Sequence, residues 1–286
     1  MEKHLLITIS DDVSCHYGIR FVRSFFQRRS GVRITLFYVS PIIDPAVERS
    51  RDRGGLDRKM AESYRRRGQQ ALDAGKQLLT GGGFSSELID CKFMHKQFGT
   101  VMDIIKEGKA GLYDAVVMGR RGYMLLEPLL ANSVSKEIIA REVDFPIWIC
   151  RRPEEQRRNV LLCVDGSEPS LRMADHVGFM LKDEPDHSIK VLHIDTGHGK
   201  HVDSIVEGAR AELLQNGIEE SRITTSVVRS SRVVKSILDE VEKNSFGVVA
   251  VGRVGAHKGS VKEWLVGSKS TKLVEELEKA VLWVSK

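Results

Sequence analysis

Three residues at 165–167, Asp-Gly-Ser, stand where the apolar run 159–164 (NVLLCV) gives way to a polar stretch containing Pro169. An aspartate at that point can accept hydrogen bonds from ribose hydroxyls or a base amino group. Gly166 lets backbone N–H groups come close to an anion. Ser167 ahead of Pro169 is also ordinary helix-start chemistry, which needs no ligand. A second set follows at Gly252, Gly255, Gly267 and Ser268. Gly267-Ser268 opens a predicted helix whose free N–H groups and dipole favour phosphate, while Gly252 and Gly255 taken alone could simply turn the chain. Each motif by itself leaves nucleotide cradle and plain turn both open.

The same two motifs recur in the first half of the chain. HLLITISDDVS at 4–14 aligns without a gap on NVLLCVDGSEP at 159–169. YDAVVMGRRG at 113–122 likewise runs beside FGVVAVGRVG at 246–255. Each copy of the second motif leads through a variable loop and a Ser to an amphipathic stretch, then to a short apolar run with a central Trp (Trp148, Trp283). Two motifs repeated in the same order indicate duplication. The charged join RRPEEQRR at 151–158, with a Pro that ends a strand, has the composition of a boundary. The expected domains are therefore 1–152 and 157–286.

The elements that must position these residues alternate in type. Strands are predicted near 4–10, 33–39, 86–93, 114–119 and 146–150, short and rich in Val, Ile and Leu as strands buried on both faces should be. Helices are predicted near 14–27, 57–80, 99–108 and 132–142, with a shorter counterpart of the second near 201–215. Val101, Ile104, Ile105 and Val234, Ile237, Leu238 keep helical spacing. The βαβα order implies an α/β fold of two tandem doubly wound domains, each a five-stranded parallel sheet flanked by helices. Ligands bind such sheets beyond the carboxyl ends of the strands. The motif loops leave the first and fourth strands, so they converge on one cleft per half.

Composition narrows the function classes. The chain has 286 residues, 41% hydrophobic and 29% charged, the balance of a soluble globular protein. No apolar run approaches the roughly 20 residues that span a bilayer, so no membrane role and a cytoplasmic address are expected. Cys15, Cys91, Cys150 and Cys163 form no C-x-x-C pair and read as reduced thiols. The arginine-dense stretch 48–68 could meet a polyanion, but Glu48, Asp52, Asp57 and Glu62 interrupt it, and it reads as an exposed helix with its approach loop. Nucleic acid is therefore not the expected partner.

Together, and duplicated in order, these residues resemble the universal stress protein family over essentially the whole chain. The resemblance implies a nucleotide-binding branch with G-x2-G-x9-G-[S/T] after the fourth strand and an Asp after the first. Carried over by position, it assigns Asp165, with Gly166 beside it, and the backbone of Ile194 to adenosine. It assigns Gly252, Gly255, Gly267 and Ser268 to ribose and phosphates, with Ser270 as an additional hydroxyl. Two departures stand out. Eleven residues (256–266) separate Gly255 from Gly267 where the pattern has nine; the entropy of closing the longer loop differs by only about 0.2 kcal/mol, so the consequence concerns which amides face the cleft. In the first half, Gly119, Gly122, the nine-residue spacing and Ser133 are kept, but Asn132 replaces the glycine and Ser10 the aspartate, with Asp11 one position late. Ser10, Val39, Gly119, Gly122, Asn132 and Ser133 are thus expected to form a weakened site.

The implied function is a stress-response protein binding ATP or a related adenine nucleotide, with magnesium, chiefly in the second half, as sensor or regulator. The alternative is a nucleotide-free scaffold of the same fold with an unidentified protein partner. No Walker A, S-G-G-x-D-S or H-x-G-H loop occurs, no catalytic residues are assigned, and at most slow ATP hydrolysis is expected. His193, Asp195, His198 and His201 cluster in HIDTGHGKH, but a loop explains them without a metal. The resemblance also implies that the fifth strands pair antiparallel, an intrachain version of a dimer, and leaves a further homodimer open.

Overall fold

The computed structural model describes residues 2–11, 16–41, 54–119, 143–197, 202–252, 273 and 276–285. The predicted helix at 132–142 lies outside them. In the first half, strands β1 (Lys3–Ile9), β2 (Val32–Ser40), β3 (Ile89–His95), β4 (Ala115–Gly119) and β5 (Ile147–Cys150) alternate with helices α1 (Tyr17–Phe25), α2 (Gly54–Gly81) and α3 (Thr100–Ala110). In the second, β6 (Val160–Val164), β7 (Ile189–Asp195), β8 (Ile223–Arg229), β9 (Val248–Gly252) and β10 (Val281–Ser285) alternate with α4 (Glu168–Leu181), α5 (Val202–Gln215) and α6 (Val233–Asn244). The third strand starts later than its predicted position at 86. Ser86–Leu88 instead form a 3-10 turn, with the Ser85 hydroxyl accepting from the Glu87 amide, and Glu220–Arg222 repeat that turn before β8.

The strands form one continuous ten-stranded sheet in the order β3-β2-β1-β4-β5-β10-β9-β6-β7-β8. Every pairing is parallel except β5 with β10, where Trp148 faces Trp283, Ile149 faces Leu282 and Ile147 faces Val284. Each half has the strand order 3-2-1-4-5. The expected fifth-strand pairing is present, and it merges the two sheets into one.

Alternation along the strands sends side chains to two layers. On one face, α1, α2, α4 and α5 cover a core that runs without a break from Leu5 and Phe25 through Trp148 and Trp283 to Val160 and Met180. On the other, α3 and α6 pack on Leu6, Val116, Ile147 and Leu161, Val249, Leu282. The indoles of Trp148 and Trp283 are fully buried and stack at 4.0 Å between centroids, 4° from parallel.

Polar contacts tie the two halves at their first helices. Buried Glu184 accepts the amides of Gln27 (2.8 Å) and Arg28 (3.1 Å), and Lys3 meets Asp183 at 2.7 Å. The buried Arg222 guanidinium donates to the carbonyls of Leu181, Glu184 and His187, fixing the loop that presents Glu184. Burial of unpaired polar groups costs free energy, so this loop is held in one arrangement.

Candidate nucleotide cleft

In the second half, β6 lies between β9 and β7. The register places Val164 beside His193, and Cys163 beside Val251. Asp165, Ile194 and Gly252 therefore each stand one residue further on, at the carboxyl ends of three adjacent strands. This is the switch point of the half-sheet, where an open α/β sheet takes its ligands. The structure thus brings Asp165, Gly166, Ile194 and Gly252 to one edge. Gly255, Gly267, Ser268 and Ser270 lie outside the described residues.

Asp165 is exposed and partly engaged. Its Oδ1 accepts from the Ser167 amide at 3.0 Å and from the Ser167 hydroxyl at 2.5 Å. Ser167 is also the N-cap of α4, accepting from the Ser170 amide at 3.4 Å, with Pro169 in the first turn. The helix-start reading of D-G-S is therefore built here, and it holds the carboxylate just beyond the end of β6. Gly166 has φ +79°, and a Cβ on it would lie 2.8 Å from the Ile205 side chain on α5. The backbone conformation and the neighbouring helix thus both select glycine. Gly252 is equally constrained: a Cβ there would meet the Ser170 nitrogen at 2.4 Å and the Pro169 carbonyl carbon at 2.6 Å. Its absence lets the end of β9 rest against the first turn of α4.

Sequence reasoning missed two supporting residues. Ile205 comes from a helix forty residues downstream and carries no local signal. His193 was considered for a metal, but its Nδ1 lies 2.8 Å from the Val164 carbonyl and the ring is buried. A carbonyl only accepts, so the proton sits on Nδ1, and the imidazole steadies the strand end that carries Asp165. Asp195 takes the Gly197 amide at 2.7 Å; His198 and His201 lie outside the described residues. Among the described residues no three His, Cys, Asp or Glu side chains converge as metal ligands.

The first half presents different chemistry at the same strand ends. Ser10, Val39 and Gly119 are each partly buried after β1, in β2 and in β4. The Ser10 carbonyl lies 3.3 Å from His16 Nε2. Tyr38 occupies the place of His193 and stacks on Phe93 at 5.7 Å, and Ser40 meets His95 Nδ1 at 2.8 Å. Gly122, Asn132 and Ser133 lie outside the described residues. Cys91, Cys150 and Cys163 are free thiols, and burial raises the pKa of Cys150 far above its ordinary range.

Residues 156–285 match the family model described as the universal stress protein family. No curated protein matches the chain. Among solved structures, a universal stress protein from Archaeoglobus fulgidus DSM 4304 aligns over 99% of this chain and 96% of its own, at 18% identity and a TM-score of 0.65. A functionally unknown protein from Pseudomonas aeruginosa PAO1 aligns over 100% of this chain and 92% of its own, at 13% identity and a TM-score of 0.55. These whole-chain likenesses show that the ten-stranded fold is shared. A universal stress protein in complex with cAMP aligns over 45% of this chain and 95% of its own, at 17% identity and a TM-score of 0.37. No described helix is long and apolar enough to cross a membrane.

Proposed function

We propose that the chain binds ATP or a related adenine nucleotide in its second half and acts as a sensor or regulator. In this reading the domains are 1–152 and 157–286, and the first is chiefly structural. The observation that carries it is the exposed Asp165 carboxylate, held by Ser167 at the switch point with Gly166, Ile194 and Gly252 around it. The adenosine end of a nucleotide fits these residues: a carboxylate for ribose hydroxyls, a strand-end backbone for the base, and glycines that leave room. Gly255, Gly267, Ser268 and Ser270 would hold the phosphates, with magnesium as their counter-ion. Ser10 offers the first half no carboxylate at the equivalent point, which supports its weaker role.

A nucleotide-free scaffold is the second reading. The eleven-residue spacing after Gly255 and Asn132 in the first half favour it. Denaturing the purified protein, identifying the released small molecules and titrating the emptied protein with ATP separates the two. About one adenine nucleotide per chain, with affinity lowered at least ~10-fold by Asp165→Ala, is the expected result. Unchanged affinity in that variant overturns the site. Absence of both released nucleotide and millimolar binding overturns the function and leaves the scaffold.

A further inference from the structure

The ten-stranded sheet ends in two unlike edges. At one end β3 exposes Asp90, Cys91 and Lys92. Asp90 is paired with Arg33 and Lys92 with Glu107, and Lys76 of α2 donates to the Ile89 carbonyl. Charges on an edge strand discourage pairing with another chain. At the other end β8, ITTSVVR, carries no charge before its last residue and is β-branched at five of seven positions. Thr224, Thr225 and Val227 are exposed, Val227 at 47%, and among the described residues no strand pairs with the outer side of β8. Leu214 on the adjoining α5 is a further exposed apolar side chain at this end of the sheet.

The charges flanking β8 differ at its two ends. Exposed Glu219 and Glu220 precede it, Glu220 also meeting Arg210 on α5, and exposed Arg229 and Arg232 close it and follow it. Laid antiparallel against itself about Ser226, the strand sets Thr225 opposite Val227, Thr224 opposite Val228 and Ile223 opposite Arg229. The same register brings Glu220 of one copy to Arg232 of the other. Parallel self-pairing would oppose like charges at both ends. We infer that β8 is a self-association edge, on which the β8 strand of a second copy of this chain pairs antiparallel about Ser226 to continue the sheet across a two-fold axis. Such an interface is isologous and closes as a dimer, and the geometry repeats the β5–β10 joint already inside the chain. A single strand pair lies at the small end of specific interfaces, below roughly 1,200 Å², so a reversible association is expected.

The test uses the full chain in sedimentation velocity over a micromolar concentration series, with cysteine cross-linking in a Cys15→Ser, Cys91→Ser background. A monomer–dimer equilibrium is expected. Thr225→Pro should raise its Kd at least ~10-fold, because Pro removes an edge donor. Glu220→Arg should weaken it, and adding Arg232→Glu should restore it; both positions are exposed, so this pair keeps the test valid if the Pro variant fails to fold. Ser226→Cys should cross-link directly, since facing Cα atoms in an antiparallel pair lie about 4.5–5.5 Å apart, within disulfide reach, whereas Ile223→Cys should not. A monomer throughout the series overturns the inference. So does a dimer indifferent to the charge exchange, or open-ended assembly that β3 substitutions abolish, which would mean β8-to-β3 pairing.

Discussion

The stacked tryptophans at the joint are equivalent by strand position but not by hydrogen bonding, and replacing each by phenylalanine exposes the difference. The Trp148 indole N–H donates to His176 Nε2 at 3.1 Å, and His176 also packs against Trp283 at 5.6 Å. Trp283 Nε1 is buried with no partner among the described residues. Extending the gapless alignment of the two halves sets Phe21 at the position of His176. The first half therefore offers no acceptor where the second has one. Both Trp→Phe changes give up a similar part of one stack in the same core, so their packing losses cancel in a comparison. Trp148→Phe additionally leaves a buried imidazole acceptor unpaired, worth about 1–3 kcal/mol, while Trp283→Phe deletes a buried donor that was already unpaired. Trp148→Phe should thus be the more destabilising by about 2 kcal/mol. Urea unfolding followed by far-ultraviolet circular dichroism at neutral pH measures this without relying on tryptophan emission. Equal losses, or a larger loss for Trp283→Phe, would refute the reasoning.

Two further predictions rest on the same kind of contact. Burial lowers the pKa of His176 to about 3 and, with the Arg222 and Arg158 charges, that of His187 to about 4. Their folded values lie below the unfolded one, so the unfolded chain takes up protons first. Stability should be complete above about pH 6.5 and fall toward pH 4 by roughly 1.4 kcal/mol per pH unit for each ring. His176→Gln keeps an acceptor for Trp148 and should flatten that slope by about half of it. Glu184, whose pKa burial raises, acts in the opposite sense but is common to both proteins; an unchanged slope would remove His176 from the account. Gly252→Ala should cost about 1–3 kcal/mol of stability in nucleotide-free protein, because the clash is with backbone of the α4 first turn. Full stability of that variant in thermal unfolding would show that the strand end yields, leaving Gly252 to act only through a ligand.

What the sequence disclosed followed the physics of each feature. Parallel strands buried on both faces read as apolar runs, so four of the five strands predicted in the first half fell within about a residue of their place. β3 was displaced because Ser86–Leu88 satisfy their backbone as a 3-10 turn, a local choice that hydrophobic pattern does not report. That Asp165, Gly166 and Gly252 stand at strand ends was legible from their place after apolar runs, whereas Ile194 came from the family resemblance. Ile205 over Gly166 and Glu184 on the Gln27 and Arg28 amides were not, since each depends on a packing distance between elements remote in sequence. The D-G-S motif carried both of its readings at once: the same Ser167 that caps α4 also holds the Asp165 carboxylate.

Covalent linkage of the halves explains why they can differ. In a two-fold dimer of identical chains every substitution at the joint appears twice, so an imidazole suited to accept from one indole would stand at both equivalent positions. Here His176 appears once, with Phe21 at the equivalent position of the first half, and Glu184 binds first-half amides without needing a second acid across the axis. The buried joint is thus held by contacts that no symmetric pair could make in single copy. The core that runs unbroken through Trp148 and Trp283 stabilises the first half through the second. The first half can then carry Ser10 in place of an aspartate without loss of fold, since the residues that hold the sheet together lie at the β5–β10 joint and not at the strand ends where the proposed ligand would sit.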